Sequence, residues 1–144
     1  MKKLFRKLFP SKRMREYNKM RRRHRKELVK HAKKTREWDY CWLYDGTIMQ
    51  IRHMYEYYSA GNNVWQSEES MKEILGQLKH VLDLNDEMDH LWDDHFRDYV
   101  KNGDGSISST EASRKSYIEK SDREQELYEE IYSYIGRQIQ WWWD

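Results

Sequence analysis

The sequence predicts an all-α protein, a three-helix antiparallel bundle over residues 38–144 preceded by a basic helical arm over residues 1–37. Three observations carry that expectation. From residue 38 onward, apolar and aromatic residues recur at intervals of three and four, the spacing that lines one side of an α-helix. Breaks at residues 59–63 and 101–109 divide the pattern into three stretches, with connections short enough for antiparallel neighbours. No β-type alternation of useful length and no internal repeat accompanies them.

Residues 1–10 read as a short amphipathic tip closed by Pro10, with Leu4, Phe5, Leu8 and Phe9 on one side and Lys2, Lys3, Arg6 and Lys7 around them. Residues 11–37 read as a basic helical run whose apolar content is limited to Met14, Tyr17, Leu28, Val29 and Ala32. Its composition favours helix, while like charges one turn apart oppose it. At Trp38 the pattern changes. Cys41, Tyr44, Ile48, Ile51, Tyr55 and Tyr58 define one helical face with Trp38 and Trp42 beside it, and Gly61 suits a left-handed C-cap. A second helix is expected from about Ser67, with Glu68 and Glu69 complementing its N-terminal dipole. Its inward residues are Met71, Ile74, Leu75, Leu78, Val81, Leu82, Met88 and Trp92, and Phe96 and Tyr99 continue the stripe. The third runs from about Glu111 towards Gln140 with Tyr117, Ile118, Leu127, Ile131, Tyr134, Ile135 and Ile139 inward. Mean hydropathy is −1.20, and the buriable area rests largely on seven Trp, eleven Tyr and three Phe.

Charge separates the chain into two opposed parts. Residues 1–38 hold 17 of the 27 Lys and Arg against three acids, a net of +14, while residues 39–144 hold 10 against 22, a net of −12. Such asymmetry points to a polyanionic partner for the basic part. The predicted phosphate contacts are Arg13, Arg15, Lys19, Arg21, Arg22, Arg23, Arg25, Lys26, Lys30, Lys33 and Lys34. Placed on a helix they surround the cylinder, which suits enclosure in a groove or a diffuse charge cloud on DNA or RNA and not base-by-base reading. The competing expectation is a protein-interaction module, a virion component or an inhibitor of a host protein, acting through the acidic aromatic body. In that case the arm is solvated and docks on this protein's own acidic body or on a protein partner. A third is weak contact of residues 1–9 with an anionic membrane surface.

Several function classes are disfavoured. Cys41 is the only cysteine, so neither an internal disulfide nor the CxxC spacing of a zinc site exists. No stretch approaches the 18 uncharged apolar residues of a bilayer span. The charged start resembles the n-region of a signal peptide, but Arg6 and Lys7 interrupt what would be its apolar core. A cytoplasmic, non-enzymatic protein with no cofactor is expected: there is no phosphate-cradling glycine loop, no nucleophile–base order and no identifiable acid–base pair of carboxylates.

Two local patterns bear on metals. Residues 100–111 resemble the twelve-residue calcium loop of EF-hand proteins, with Asn102, Asp104, Gly105, Ser106, Ile107 and Glu111 at loop positions 3, 5, 6, 7, 8 and 12. Phe96 to Tyr99 resemble the end of the entering helix. Val100 stands where the first coordinating aspartate belongs. The bland alternative is a turn at Asn-Gly-Asp-Gly followed by a capping box, Ser108 to Glu111. The second pattern is Glu87-x-x-His90, a step seen in di-iron bundles, set in an acidic run with Asp86, Asp89, Asp93, Asp94 and His95. His53-x-x-Glu56 has the reverse order and no evident partner, so no metal site is predicted there.

Trp141, Trp142 and Trp143 cannot share one side of a helix; two of them are expected to pack against Trp38 and Trp42. Trp38-Asp39-Tyr40-Cys41-Trp42 combined with the terminal Trp142-Trp143-Asp144 is similar to small helical bacteriophage proteins of unknown function. The resemblance covers residues 38–144, implies a viral accessory protein acting in a bacterial host cell or in the virion, and transfers no active site.

Overall fold

The computed structural model describes residues 11–33, 40–61, 67–95 and 98–142, the side chains of 40, 41 and 141 excepted. The expectations for the tip, Lys34, Trp38, Phe96, Trp141 and Trp143 lie outside the described residues and side chains. The helical class is as the sequence predicts, with four α-helices and one small hairpin among the described residues.

The basic run forms α1 (Lys12–Lys33), and the aromatic stretch after it forms α2 (Tyr40–Ser59). Ser11 opens α1, its hydroxyl accepting the Met14 N–H at 3.2 Å as an N-cap does. Tyr17, Met20, His24, Leu28 and His31 are its half-buried residues, at intervals of three, four, four and three. Three ring contacts hold this face on α2. Tyr17 meets Tyr57 edge-on at 5.8 Å, His24 stacks on His53 at 3.7 Å and His31 stacks on Trp42 at 5.4 Å. As the α1 numbers rise the α2 numbers fall, so the pair is antiparallel. Gly46 permits the approach: a Cβ there would stand 3.1 Å from the His31 ring. Tyr44, Ile48 and Ile51 are buried, as the predicted stripe requires. Gly61 closes α2 at φ +66°, its N–H reaching the Tyr58 carbonyl at 2.9 Å, the left-handed cap expected of it.

The second pair consists of α3 (Glu68–His90) and α4 (Glu111–Gln138), extended by a 3-10 turn at Ile139–Trp142. Leu78, Val81, Leu127 and Ile131 are fully enclosed, each contributing about 1.5–3 kcal/mol by burial. Contacts at 87–123, 80–134 and 77–142 make α3 and α4 antiparallel.

Compact units divide the chain at Met1–Ser67 and Glu68–Asp144. The first holds α1 paired with α2, and the second holds α3 and α4 with the hairpin. Among the described residues no helix is long and apolar enough to cross a membrane.

Three further expectations need correction. The α3 helix ends at His90, and Tyr99 lies in a strand, 56% exposed. Strand β1 (Tyr99–Lys101) pairs antiparallel with β2 (Ile107–Ser109), Val100 opposite Ser108, so a hairpin stands where no strand was predicted. Finally, Tyr117, Ile118 and Ile139 are exposed, while the buried positions of α4 are Ser113, Leu127, Ile131 and Ile135.

Candidate nucleic-acid interface

Docking on α2 sorts the cations of α1 into two classes. The Arg13 guanidinium donates to the Gly61 carbonyl, and Arg23 binds Glu56 and stands 3.8 Å from Glu27. These two predicted phosphate contacts are bonded to groups of α2 and its cap, though both remain exposed. Lys12, Arg15, Lys19, Arg22, Lys26, Lys30 and Lys33 are all exposed and follow one another at three, four, three, four, four and three residues. At about 100° per residue they occupy an arc of roughly 80°, opposite the docked face. The arc runs about 31 Å along the axis at ~1.5 Å per residue. Arg21 and Arg25, also exposed, flank one side. The charges therefore form a stripe, where the sequence alone suggested a cylinder charged all round. The difference is that one side of the cylinder is occupied by α2.

The two acids of α1 lie on the docked side. Glu16 lines a cleft of about 520 Å³ with Arg13, Tyr17, Met20, Arg23, Tyr55 and Glu56. Glu27 accepts from His53 Nε2 at 2.7 Å. No acid of α1 falls within the outward arc, and among the described residues none of its seven cations pairs with a carboxylate. Unit Met1–Ser67 carries 18 Lys and Arg against six acids, a net of +12, and Glu68–Asp144 carries nine against 19, a net of −10.

What locks α1 in this orientation is a pair of identical steps, His24-x-x-Glu27 on α1 and His53-x-x-Glu56 on α2. They cross-pair, His24 with Glu56 and His53 with Glu27, both at 2.7 Å. Since each Nε2 faces a carboxylate, each ring donates from that nitrogen. The imidazoles stack 7° from parallel, and Arg23 adds positive charge beside both carboxylates. The hydrogen bond from His53 holds the Glu27 carboxyl below its ordinary value; partial burial opposes this, and the charges of His53, Arg23 and His24 assist it. The sequence signal for this clasp was the repeated His-x-x-Glu step, visible once both copies are placed on neighbouring helices.

The calcium candidates are arranged differently from an ion cage. Asn102 donates from its amide to Ser106 Oγ at 2.7 Å and accepts from Ser108 Oγ at 3.3 Å; Asp104 accepts from the N–H and hydroxyl of Ser106 at 2.9 and 2.7 Å. Those bonds hold the Asp104 carboxyl below its ordinary value. Val100 is in a strand, no helix enters the loop directly, and Glu111 begins α4. Thr110, not Ser108, is the N-cap, accepting from Ser113 N–H at 3.1 Å. Among the described residues no group of three His, Cys, Asp or Glu is arranged to hold a metal.

Basic residues of α4 neutralise part of the acidic run on α3. Arg123 reaches Glu87 at 2.8 Å, and Lys120 binds Asp94 and the Leu91 carbonyl. His90 turns to Asp93 at 2.7 Å, a bond that raises its pKa above the ordinary value. Nearby, Trp92, His95 and Tyr117 form an aromatic cluster. His95, Tyr99, Ser109, Ser113, Arg114, Tyr117 and Ile118 line a cleft of about 430 Å³. Trp142 is buried and donates its indole N–H to Gln77 of α3 at 2.9 Å. Trp42 stacks on His31. Compared with protein-family models, curated proteins and solved structures, the chain matches none.

Proposed function

We propose that this chain is a non-enzymatic accessory protein of the bacteriophage type that binds nucleic acid through the outward face of α1, in the host cytoplasm or in the virion. The observation that carries the reading is the acid-free stripe of seven exposed cations on α1, with both acids of that helix on the docked side. Lysine and arginine in such an array neutralise phosphates and release condensed counterions, which supplies affinity without reading sequence. A net +12 on the same unit adds long-range attraction for a polyanion.

Charge reversal tests this more cleanly than deletion, because removing α1 would strip the docking face of α2. Lys19→Glu, Arg22→Glu and Lys26→Glu together alter outward positions that make no contact with α2. In fluorescence anisotropy at moderate salt the triple variant is expected to bind labelled nucleic acid about 100-fold or more weakly, with a shallower salt dependence. Lys72→Glu and Lys101→Glu in the other unit are expected to change little. Unchanged affinity in the triple variant, with native circular dichroism, overturns the reading.

One observation favours a second reading, a protein-interaction module. Tyr99, Tyr117 and Ile118 line a single cleft and are all more than half exposed, at 56%, 55% and 57%, which is unusual for large apolar residues gathered at one place. On that reading, Tyr117→Ser with Ile118→Asp abolishes capture of a host or virion protein that the charge-reversed triple variant still captures. The reverse pattern counts against it.

A further inference from the structure

Resting on the nucleic-acid reading of α1, we infer that the ligand is a duplex, gripped along its phosphate ridges, and not a single strand. Proteins that hold single strands without sequence preference combine a basic groove with aromatic faces on which successive bases stack. The outward face of α1 has neither. Its stripe is a convex ridge on one helix, and no aromatic residue lies within it. Tyr17, the one aromatic of α1, is half-buried with its ring against Tyr57 at 5.8 Å. Trp42, on the neighbouring helix, has a ring face covered by His31, whose plane lies 5° from its own. Among the described residues, these two rings are thus engaged between α1 and α2, although Trp42 stays 37% exposed.

The geometry of the cations leads to the same ligand. The stripe runs along one helix backed by α2, with successive cations about 4.5 or 6 Å apart along the axis at ~1.5 Å per residue. A duplex presents roughly one phosphate per 1.7 Å of axis, so a segment as long as the stripe offers on the order of 18 phosphates at fixed positions. Long, flexible Lys and Arg side chains on a convex ridge find partners among them without deforming the nucleic acid. A single strand carries fewer charges per length. Lying along the ridge would cost it chain entropy, with no stacking in return. Phosphate ridges are common to duplex DNA and duplex RNA, and both fit this chemistry.

The test uses the full chain and four labelled probes of about 20 nucleotides or base pairs: duplex DNA, duplex RNA, and the corresponding unstructured single strands. Anisotropy titrations are made across a salt series. The expected result is that at least one duplex binds about 10-fold or more tightly than its own single strand. Its log K should fall with log salt at a slope of roughly −5 to −6, as six or seven phosphate contacts at ~0.9 each require. Preference for DNA or RNA then identifies the source of the duplex. Single strands bound as tightly as duplexes overturn the inference and leave the nucleic-acid reading standing. Failure of all four probes at low salt removes that reading, and the inference with it. The Lys19→Glu, Arg22→Glu, Lys26→Glu protein must lose the duplex preference; if it keeps that preference, some surface other than the stripe discriminates and the inference fails.

Discussion

Replacing Trp142 with alanine is expected to destabilise unit Glu68–Asp144 by about 3–5 kcal/mol, the usual cost of deleting a buried tryptophan. The indole is 1% exposed and its N–H reaches Gln77, 65 residues earlier in the chain. Truncation therefore removes a large apolar surface, leaves a cavity and withdraws the donor from Gln77. Trp142→Phe keeps more of the packing while removing the hydrogen bond, itself typically about 1 kcal/mol, so its loss should be smaller than that of the alanine variant. Urea unfolding followed by circular dichroism measures both. A loss under 1 kcal/mol for the alanine variant would mean that the final 3-10 turn is not part of the α3–α4 core.

The second large effect is expected at the histidine clasp. His53→Ala removes a side chain that is 6% exposed, unstacks His24 and leaves Glu27 without its strongest donor. Lost packing and the lost hydrogen bond together are expected to cost about 2–3 kcal/mol, read as earlier loss of the α1–α2 pair in hydrogen exchange. Acid acts on the same contact. The folded pKa of Glu27 lies below its ordinary value of 4.5, so its contribution is fully present above about pH 4.5 and is lost as pH falls through the depressed value. Because the Glu27 side chain is 46% exposed, screening limits that contribution to about 1 kcal/mol or less. Unfolding measured from pH 7 to pH 3 should show the decline in the native chain and a weaker one in Glu27→Gln. Identical pH profiles for the two would show that His53 gains nothing from the charge on Glu27.

The sequence made the strongly periodic parts legible. Ile74, Leu78, Val81 and Met88 on α3, and Leu127, Ile131 and Ile135 on α4, recur as a helix face and are buried as one. The Asn-Gly-Asp-Gly turn was also readable, since those residues favour turns wherever they sit. The strands beside it were not, because three residues are too few to show alternation. The end of α3 at His90 was hidden by Trp92 and Tyr99, which continue its apolar spacing although the backbone has already left the helix. The docking face of α1 was the largest omission. Two of its five half-buried residues are histidines and only Met20 and Leu28 are aliphatic or thioether, so a count of hydrophobic residues passes over it. With that face unseen, the outward cations had no opposite side and could not be recognised as a stripe.

The crossed His-x-x-Glu steps also govern how α1 is aligned along α2. Two antiparallel copies of one motif satisfy all four groups in a single alignment. Sliding either helix by one turn, about 5.4 Å, would break both pairs together. Contacts among Tyr17, Met20 and Leu28 alone would discriminate poorly between such alignments, because apolar surfaces tolerate sliding. The polar clasp thus acts as a registration key: its value lies less in net stability than in penalising the alternatives. Together with the ring contacts at Tyr17 and His31, the key determines which cations of this helix face the solvent.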